Sequence, residues 1–299
     1  MNFSLVVATL SRDFDLKNMF ESILRQTVMP AEIILVDQSD NDATEILCEE
    51  YGKNLSGLKY VHQPEKSLVK ARNRGIEESS GDIVCFTDDD VVLEPRYFEK
   101  LSAYFQDKQV GGVSGNVVIA KPLSGVRFFL RKILMKIFLL NHFNGKMTLS
   151  GFGYPIFERE VKEVTPVELF SGASMNFRRK LLEKERFDEW FSGYGFREDV
   201  EFSYRLSRKT KLVVVPDARF WHNFSPVDRL DTAALKKMEF KNYQYVFKKH
   251  KRKNFISDIL FAYSLFGILF IDFLEFILSF DEQKYAKFRA GLAAISGGQ

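Results

Sequence analysis

Short apolar runs alternate with amphipathic stretches through the first two-thirds of the chain, and their spacing predicts alternating strands and helices. Ser4 to Ala8 reads as a strand, and Leu16 to Arg25 as a helix with Leu16, Met19, Phe20, Ile23 and Leu24 at helical spacing. Ala31 to Val36 predicts the next strand, followed by a helix around Ala43 to Tyr51, a strand near Leu58 to Val61 and a helix near Val69 to Ser79. Ile83 to Phe86 is a buried strand, reached through Gly81 and Asp82. A helix near Pro95 to Phe105 and strands at Gly111 to Ala120, Lys211 to Val215 and Arg219 to His222 extend the pattern. A β-α-β-α order of this kind implies an α/β fold, with a mostly parallel sheet flanked by helices.

Asp88, Asp89 and Asp90 follow the Ile83 to Phe86 run directly, which places three carboxylates at the carboxyl end of a strand, where open α/β sheets bind ligands. In extended backbone, side chains two residues apart point the same way. Asp88 and Asp90 can therefore approach one hard cation while Asp89 turns aside. Such a pair suits a metal-bound diphosphate, with Mg²⁺ or Mn²⁺ as the oxygen-loving candidates.

The chain's 299 residues exceed what one compact domain usually holds, and its 45% hydrophobic and 28% charged content is ordinary for a globular protein. Thirty Phe residues are not ordinary. Cys48 and Cys85 have no ligand spacing, which excludes a cysteine zinc site and suits a reduced, cytosolic compartment. Met1 to Leu10 has neither a basic start nor a small-residue cleavage site, so it is expected to be a first strand and not a signal peptide.

Seven ordered motifs between Ser4 and about Ser225 resemble the inverting GT-A glycosyltransferases of family 2. They are Ala8-Thr9-Leu10-Ser11-Arg12; Ile33 through Asp37 to Asp40; Ala71-Arg72-Asn73-Arg74-Gly75-Ile76; Asp88 to Asp90; Ser171 through Asn176 to Arg179; Glu198-Asp199; and Trp221-His222. The resemblance implies a Rossmann-like nucleotide-diphospho-sugar transferase fold, a nucleotide-sugar donor and a divalent metal. It makes His222 a third metal ligand beside Asp88 and Asp90, Asp199 the base that takes the acceptor's proton, and Trp221 part of the sugar site. Gln38-Ser39 replaces the commoner polar-glycine turn, and Glu65-Lys66-Ser67 stands where Asn and Gly are frequent, so base and sugar stay open.

The remaining site residues follow from their chemistry. Asp37, at a strand end, can accept a hydrogen bond from a base N–H or a ribose hydroxyl. Thr9 and Arg12 occupy the neighbouring loop, Arg72 supplies a cation to base or phosphate, and Asp89 joins this donor-binding group. Glu198 opens a helix over Glu198 to Ser207, about 100° from Asp199, and would orient acceptor or base. The small residues Gly172 and Ser174 would let the backbone and Asn176 approach a sugar closely.

Between Asp107 and Glu158 no acid occurs, while Lys108, Lys121, Arg127, Arg131, Lys132, Lys136 and Lys146 are all basic. Within that stretch Val126 to Leu140 predicts a helix with an apolar side and basic residues opposite, the pattern of an interfacial helix on anionic lipid and too rich in Leu, Ile and Phe for a nucleic-acid site. Phe255 to Phe280, after the basic run Lys248 to Lys253, is long enough to span a bilayer. Its Ser264, Asp272, Glu275 and Ser279 form a polar stripe that favours a helix lying in the interface or packed on a second copy of the chain. The expected division is a GT-A domain over 1–227, carrying the basic segment 121–150, and a membrane-associating or oligomerising helical region over 228–299. The expected activity is metal-dependent, inverting transfer from a nucleotide sugar, a UDP-sugar before dTDP or GDP sugars, to a lipid-linked or membrane-associated glycan on the cytoplasmic leaflet. Two alternatives stand: a haloacid-dehalogenase-like phosphatase, whose acidic motif normally closes the first strand of its domain, and a non-catalytic membrane-bound sugar-binding module.

Overall fold

The computed structural model describes residues 1–119, 125–225, 227, 230–250 and 254–295. The expectations at Ala120, Lys121 and Lys251 to Lys253 lie outside the described residues. The chain forms two compact units, Met1–Ala120 with Ile156–Asp228, and Lys121–Pro155 with Arg229–Gln299.

The first unit is built from β1 (Phe3–Thr9), α1 (Asp13–Leu24), β2 (Glu32–Asp37), α2 (Ala43–Gly52), β3 (Leu58–His62), α3 (Leu68–Glu78), β4 (Ile83–Asp88), β5 (Val91–Leu93), α4 (Tyr97–Tyr104) and β6 (Val110–Val117). The chain leaves it for α5 (Val126–Ile137) of the second unit, then returns with β7 (Thr165–Val167), β8 (Met175–Arg178), α6 (Arg179–Leu182), α7 (Glu198–Ser207) and β9 (Lys211–His222). One sheet runs β3-β2-β1-β4-β8-β6-β9-β5, with β7 also on β9. Neighbours from β3 to β4 are parallel, and β8 is antiparallel to both β4 and β6. The sheet is covered on both faces, so β1 and β4 are almost continuously apolar, with Leu5, Val7, Ile83 and Cys85 in the main core. On the opposite face of β1, Val6 meets α3 at Gly75, where an added Cβ would lie 2.1 Å from Val6 Cγ1.

Two local expectations are corrected. The strands expected at Lys211 to Val215 and Arg219 to His222 are one strand, β9. Its ladder with β6 slips between Ser114 and Asn116, beside Pro216, which has no N–H to donate, and Asn116 Nδ2 donates to the Pro216 carbonyl at 3.0 Å. The turn expected over Ser171 to Asn176 ends early, because Met175 and Asn176 already belong to β8 and pair with Phe86 and Cys85.

The second unit packs α5, α8 (Thr232–His250), α9 (Phe255–Ile277) and α10 (Glu282–Ile295) around Met135, Phe138, Phe152, Phe240, Tyr243 and Ile268. Gly267 lets α9 pass over the Phe138 ring, since a Cβ there would fall 2.3 Å from it. The polar stripe of α9 turns inward. Ser264 Oγ donates to the Phe138 carbonyl at 2.7 Å, Asp272 accepts from Lys236 at 2.8 Å and Lys287 at 2.9 Å, and Glu275 accepts from Arg131 at 3.1 Å. Burial opposes the charge on Lys236, but Glu239 and Asp272 hold its titration above the ordinary lysine range.

The close approach of α3 to β1 is directly testable. Gly75→Ala should lower unfolding free energy by about 1–3 kcal/mol, the usual cost of overpacking. Denaturant unfolding would show it as a reduced midpoint at unchanged slope, and an unchanged midpoint would contradict the packing described.

Candidate active site

The carboxyl ends of three adjacent parallel strands meet at one edge of the sheet. Thr9 pairs in register with Asp37, and Ala8 with Asp88, so the loops after β1, β2 and β4 open side by side. Immediately after Asp90 the chain enters β5, which runs antiparallel to β9 with Val91 opposite His222. That pairing brings an imidazole 132 positions beyond Asp90 back to the acidic cluster. His222 Nε2 lies 2.8 Å from Asp90 Oδ1 and 4.0 Å from Asp88 Oδ2, and one ligand atom from each of the three residues falls within 4.8 Å of the others.

The cluster is held from several sides. Asp90 Oδ2 accepts from the Ser225 amide at 2.8 Å, and its carbonyl accepts from Asn223 N–H at 3.0 Å. Burial works against the Asp90 anion, but His222 and the Ser225 amide hold its carboxyl below the usual range. The imidazole stacks on Phe224 at 4.2 Å, with the Phe157 ring edge-on at 5.5 Å. Two carboxylates and one imidazole, one carboxylate still part exposed, form a donor set that fits Mn²⁺ or Mg²⁺, and the imidazole tilts it toward Mn²⁺.

Asp89 turns away from this cluster, although Asp89 and Asp90 form a turn between β4 and β5 and not the extended run expected. It is buried, accepts from Thr9 Oγ1 at 2.8 Å and pairs with Arg12 at 3.0 Å. Burial pushes its carboxyl up to about 6, against the pull of Arg12 and Thr9. Arg12 also donates to the Val227 carbonyl at 2.9 Å, tying the segment that follows His222 to the first loop. Asp37 is fully buried, accepting from the Ser39 amide at 3.0 Å and the Tyr60 hydroxyl at 3.0 Å.

Arg72 joins the cluster to the second acidic pair. Its guanidinium is buried over the Phe187 ring, with Nη2 3.0 Å from Asp88 Oδ1 and Nη1 2.5 Å from Glu198 Oε1. Gly172 makes room for it, because a Cβ there would sit 2.6 Å from Arg72 Nη2. The Gly172 amide donates to Asp199 Oδ2 at 2.9 Å, and the Val200 amide to Asp199 Oδ1 at 2.7 Å. Burial and the neighbouring Asp199 charge raise Glu198 to about 8, against the pull of Arg72. Burial also raises Asp199, with the Gly172 N–H and Arg72 opposing it. Arg197, just before α7, is held at φ 77, a left-handed conformation that costs a non-glycine residue energy.

The sequence-predicted residues therefore fall into groups. Asp88, Asp90 and His222 converge, and Arg72, Gly172, Glu198 and Asp199 adjoin them. Asn176 lies in β8 and Ser174 just before it, both fully buried: Ser174 Oγ bonds the Tyr97 hydroxyl at 2.6 Å and the Gly115 amide at 2.8 Å, while Asn176 Nδ2 donates to the Val113 carbonyl at 2.8 Å. Trp221 is 38% exposed, and as the neighbour of His222 on a strand it faces the other side. Sequence reasoning missed Phe157, Phe224 and Ser225, which cage or bond the cluster. The nearness of Phe224 and Ser225 to His222 was the one available signal.

Comparison with known proteins places this geometry. A model of the glycosyl transferase family 2 domain matches residues 4–185. The minor teichoic acid biosynthesis protein GgaB of Bacillus subtilis is 24% identical over 304 residues, covering 96% of this chain and 31% of that protein. The curated relatives matched first are covered over only 28%, 24% and 31% of their own lengths. Among solved structures, the mannosyltransferase PcManGT of Pyrobaculum calidifontis with GDP-Man and Mn²⁺ aligns at a TM-score of 0.62 and 15% identity over 99% of this chain and 86% of that one. GalNAc-T7 with UDP, GalNAc and Mn²⁺ aligns at 0.60 and 18% identity over 83% of this chain and 48% of that one. These likenesses share the GT-A fold, and the family model spans more than half of the sequence. The chain belongs to glycosyl transferase family 2.

Proposed function

We propose that this chain is a metal-dependent, inverting glycosyltransferase that moves a sugar from a nucleotide-diphosphate sugar to a glycan or lipid-linked acceptor at the cytoplasmic face of the cell membrane. The observation that carries the reading is the coupling of two acidic centres through one buried cation. Asp88, Asp90 and His222 form a metal-competent group, and Arg72 reaches from Asp88 to Glu198, the neighbour of Asp199. A UDP-sugar is the donor named first, with GDP and dTDP sugars next. Solved GT-A structures with UDP or GDP-Man, each with Mn²⁺, support a nucleotide-sugar donor.

In this reading Asp199 accepts the proton of the acceptor hydroxyl as the acceptor oxygen bonds to the anomeric carbon on the face opposite the diphosphate. The bond from that carbon to the diphosphate oxygen breaks, and its electron pair leaves with the nucleotide. Mn²⁺ or Mg²⁺, held by Asp88, Asp90 and His222, would offset the charge gathering on the leaving diphosphate. The Gly172 and Val200 amides fix both Asp199 oxygens, and Glu198 holds Arg72 at 2.5 Å. The loops carrying Thr9, Arg12 and Asp37 form the base and ribose side. Thr9 and Arg12 act there by fixing Asp89, and Asp37 by ordering Ser39 and Tyr60. Gly172 stands on the sugar side, with Ser174 and Asn176 packed beneath it, while Trp221 faces the side of β9 opposite His222.

Membrane attachment belongs to the second unit. The acid-free basic stretch, and an α9 long and apolar enough to cross a bilayer by length and composition, support it, as does a relative named for teichoic acid biosynthesis. Asp272 favours a helix lying on the surface over one crossing it, because its two lysine partners come from α8 and α10.

Nucleotide binding should depend on the metal. Calorimetric titration with UDP should show binding in Mn²⁺ that disappears in chelator, and Asp90→Ala should abolish the metal-dependent part. Affinities for UDP, GDP and dTDP left unchanged by chelator would remove the metal from the reading.

Asp199→Asn should keep donor affinity while turnover falls by about 10²-fold or more, the usual effect of losing a general base. The wild-type rate should rise with pH, because the base works ionised, and its midpoint should lie above the ordinary aspartate range because burial raises Asp199. Full turnover in the variant, or a rate that falls as Asp199 ionises, would move the base elsewhere.

A further inference from the structure

The second unit exposes the apolar sides of its amphipathic helices. On α5, Val126, Phe129, Leu130, Ile133 and Ile137 follow one another at helical spacing, and all are exposed, Val126 by 85% and Phe129 by 67%. At 100° per residue this stripe is flanked by Arg127 and Arg131 on one side and by Lys132 and Lys136 on the other, while Met135, nearly opposite, is buried. On α9 a second stripe, Phe255, Ile259, Tyr263, Phe266, Phe273 and Ile277, is exposed, with Ser264, Ile268, Ile271 and Asp272 on the buried side. The two helices run antiparallel, since Arg127 donates to the Leu278 carbonyl at 3.1 Å near one end and Tyr263 to the Ile137 carbonyl at 3.2 Å near the other.

Near the Arg127 end, between these helices and the start of α10, lies a groove of about 250 Å³. Its walls are Leu130, Leu134, Ile271, Leu274 and Leu278, and Arg127 and Lys284 line it as cations. Arg131 and Glu275 also line it, paired with each other. An apolar slot bordered by cations, beside apolar stripes with basic flanks, is complementary to an amphiphile with an anionic head.

We propose that the α5–α9 face docks on the surface of a bilayer and that the groove takes one anionic phospholipid from it, an acyl chain lying against Leu130, Leu134 and Leu274 and the phosphate meeting Arg127 and Lys284. The proposal rests on the membrane-surface part of the reading above and is independent of the transfer chemistry. The basic flanks argue for lipid over a second copy of the chain, because two copies of α5 would bring cations against cations. The acid-free stretch from 108 to 157 supplies no carboxylate to answer them.

The full-length chain is tested with phosphatidylcholine vesicles with and without phosphatidylglycerol. It is also titrated with dihexanoyl-phosphatidylglycerol below its micelle concentration, with dihexanoyl-phosphatidylcholine and inorganic phosphate as controls. Vesicle binding should require phosphatidylglycerol, weaken with salt and fall about fivefold for each of Arg127→Gln and Lys284→Gln. The groove-filling variant Leu274→Trp should lose the monomeric anionic lipid while keeping most vesicle binding. The paired exposed changes Phe129→Ser and Phe266→Ser should do the reverse, with circular dichroism confirming the fold of each. Unchanged monomer binding in Leu274→Trp, or equal binding of inorganic phosphate, overturns the groove and leaves the membrane reading standing. Indifference to every vesicle overturns both, and if sedimentation then shows a dimer that the serine changes dissolve, the stripes are a contact between copies.

Discussion

One buried cation organises the candidate site of the first unit. Arg72 has no solvent to fall back on, so its charge must be answered inside the protein, and Asp88 and Glu198 answer it from 16 and 126 residues away in sequence. A guanidinium suits this place better than an ammonium would, since its planar fork addresses two carboxylates in different directions at once. Around it sit Asp199, fixed by two backbone amides, Glu198, raised by burial and the neighbouring Asp199 charge, and a glycine without which the guanidinium would not fit. Removing one partner would strand a charge in a dry site, which generally costs more than the pair contributes. The arrangement is therefore cooperative, and its members are best regarded as one object.

Much of this was legible in the chain because strand ends write themselves in short range. An apolar run that stops at an acid marks both the strand and the ligand-binding edge, so β1, β2 and β4 with Thr9, Asp37 and Asp88 could be read directly. Helix α7 was legible for a similar reason, its acids crowding the first turn. Depth was not legible. Asn176 looks like a loop residue in a polar motif, yet it belongs to the four-residue strand β8, and Ser174, just before that strand, is as deeply buried, their polar groups matched to Tyr97, Gly115 and Val113. Partners set by long-range register were equally hidden. Nothing near Arg12 reports Asp89 or Val227, and nothing near Asp90 reports Phe157.

The second unit shows how a correct pattern can leave orientation undetermined. The sequence of α9 carries a polar stripe on an apolar cylinder, and a stripe alone does not say which side faces a core. Lys236 and Lys287 decide it by meeting Asp272 from neighbouring helices, which forces the aromatic side outward. On α9 a buried carboxylate thus sits beside the apolar core residues Ile268 and Ile271, while Phe255, Phe266 and Phe273 stand exposed.

The second unit is also discontinuous along the chain. Its first helix is contributed by an excursion that leaves after β6 and rejoins before β7, while its other three helices follow β9. A body threaded in two passes cannot be pared away by a stop codon. Cutting behind the sheet would leave α5 and Phe138 as an unpartnered greasy remnant hung from the middle of the catalytic fold, so an enzyme trimmed in that way should precipitate where one relieved of both passes should not.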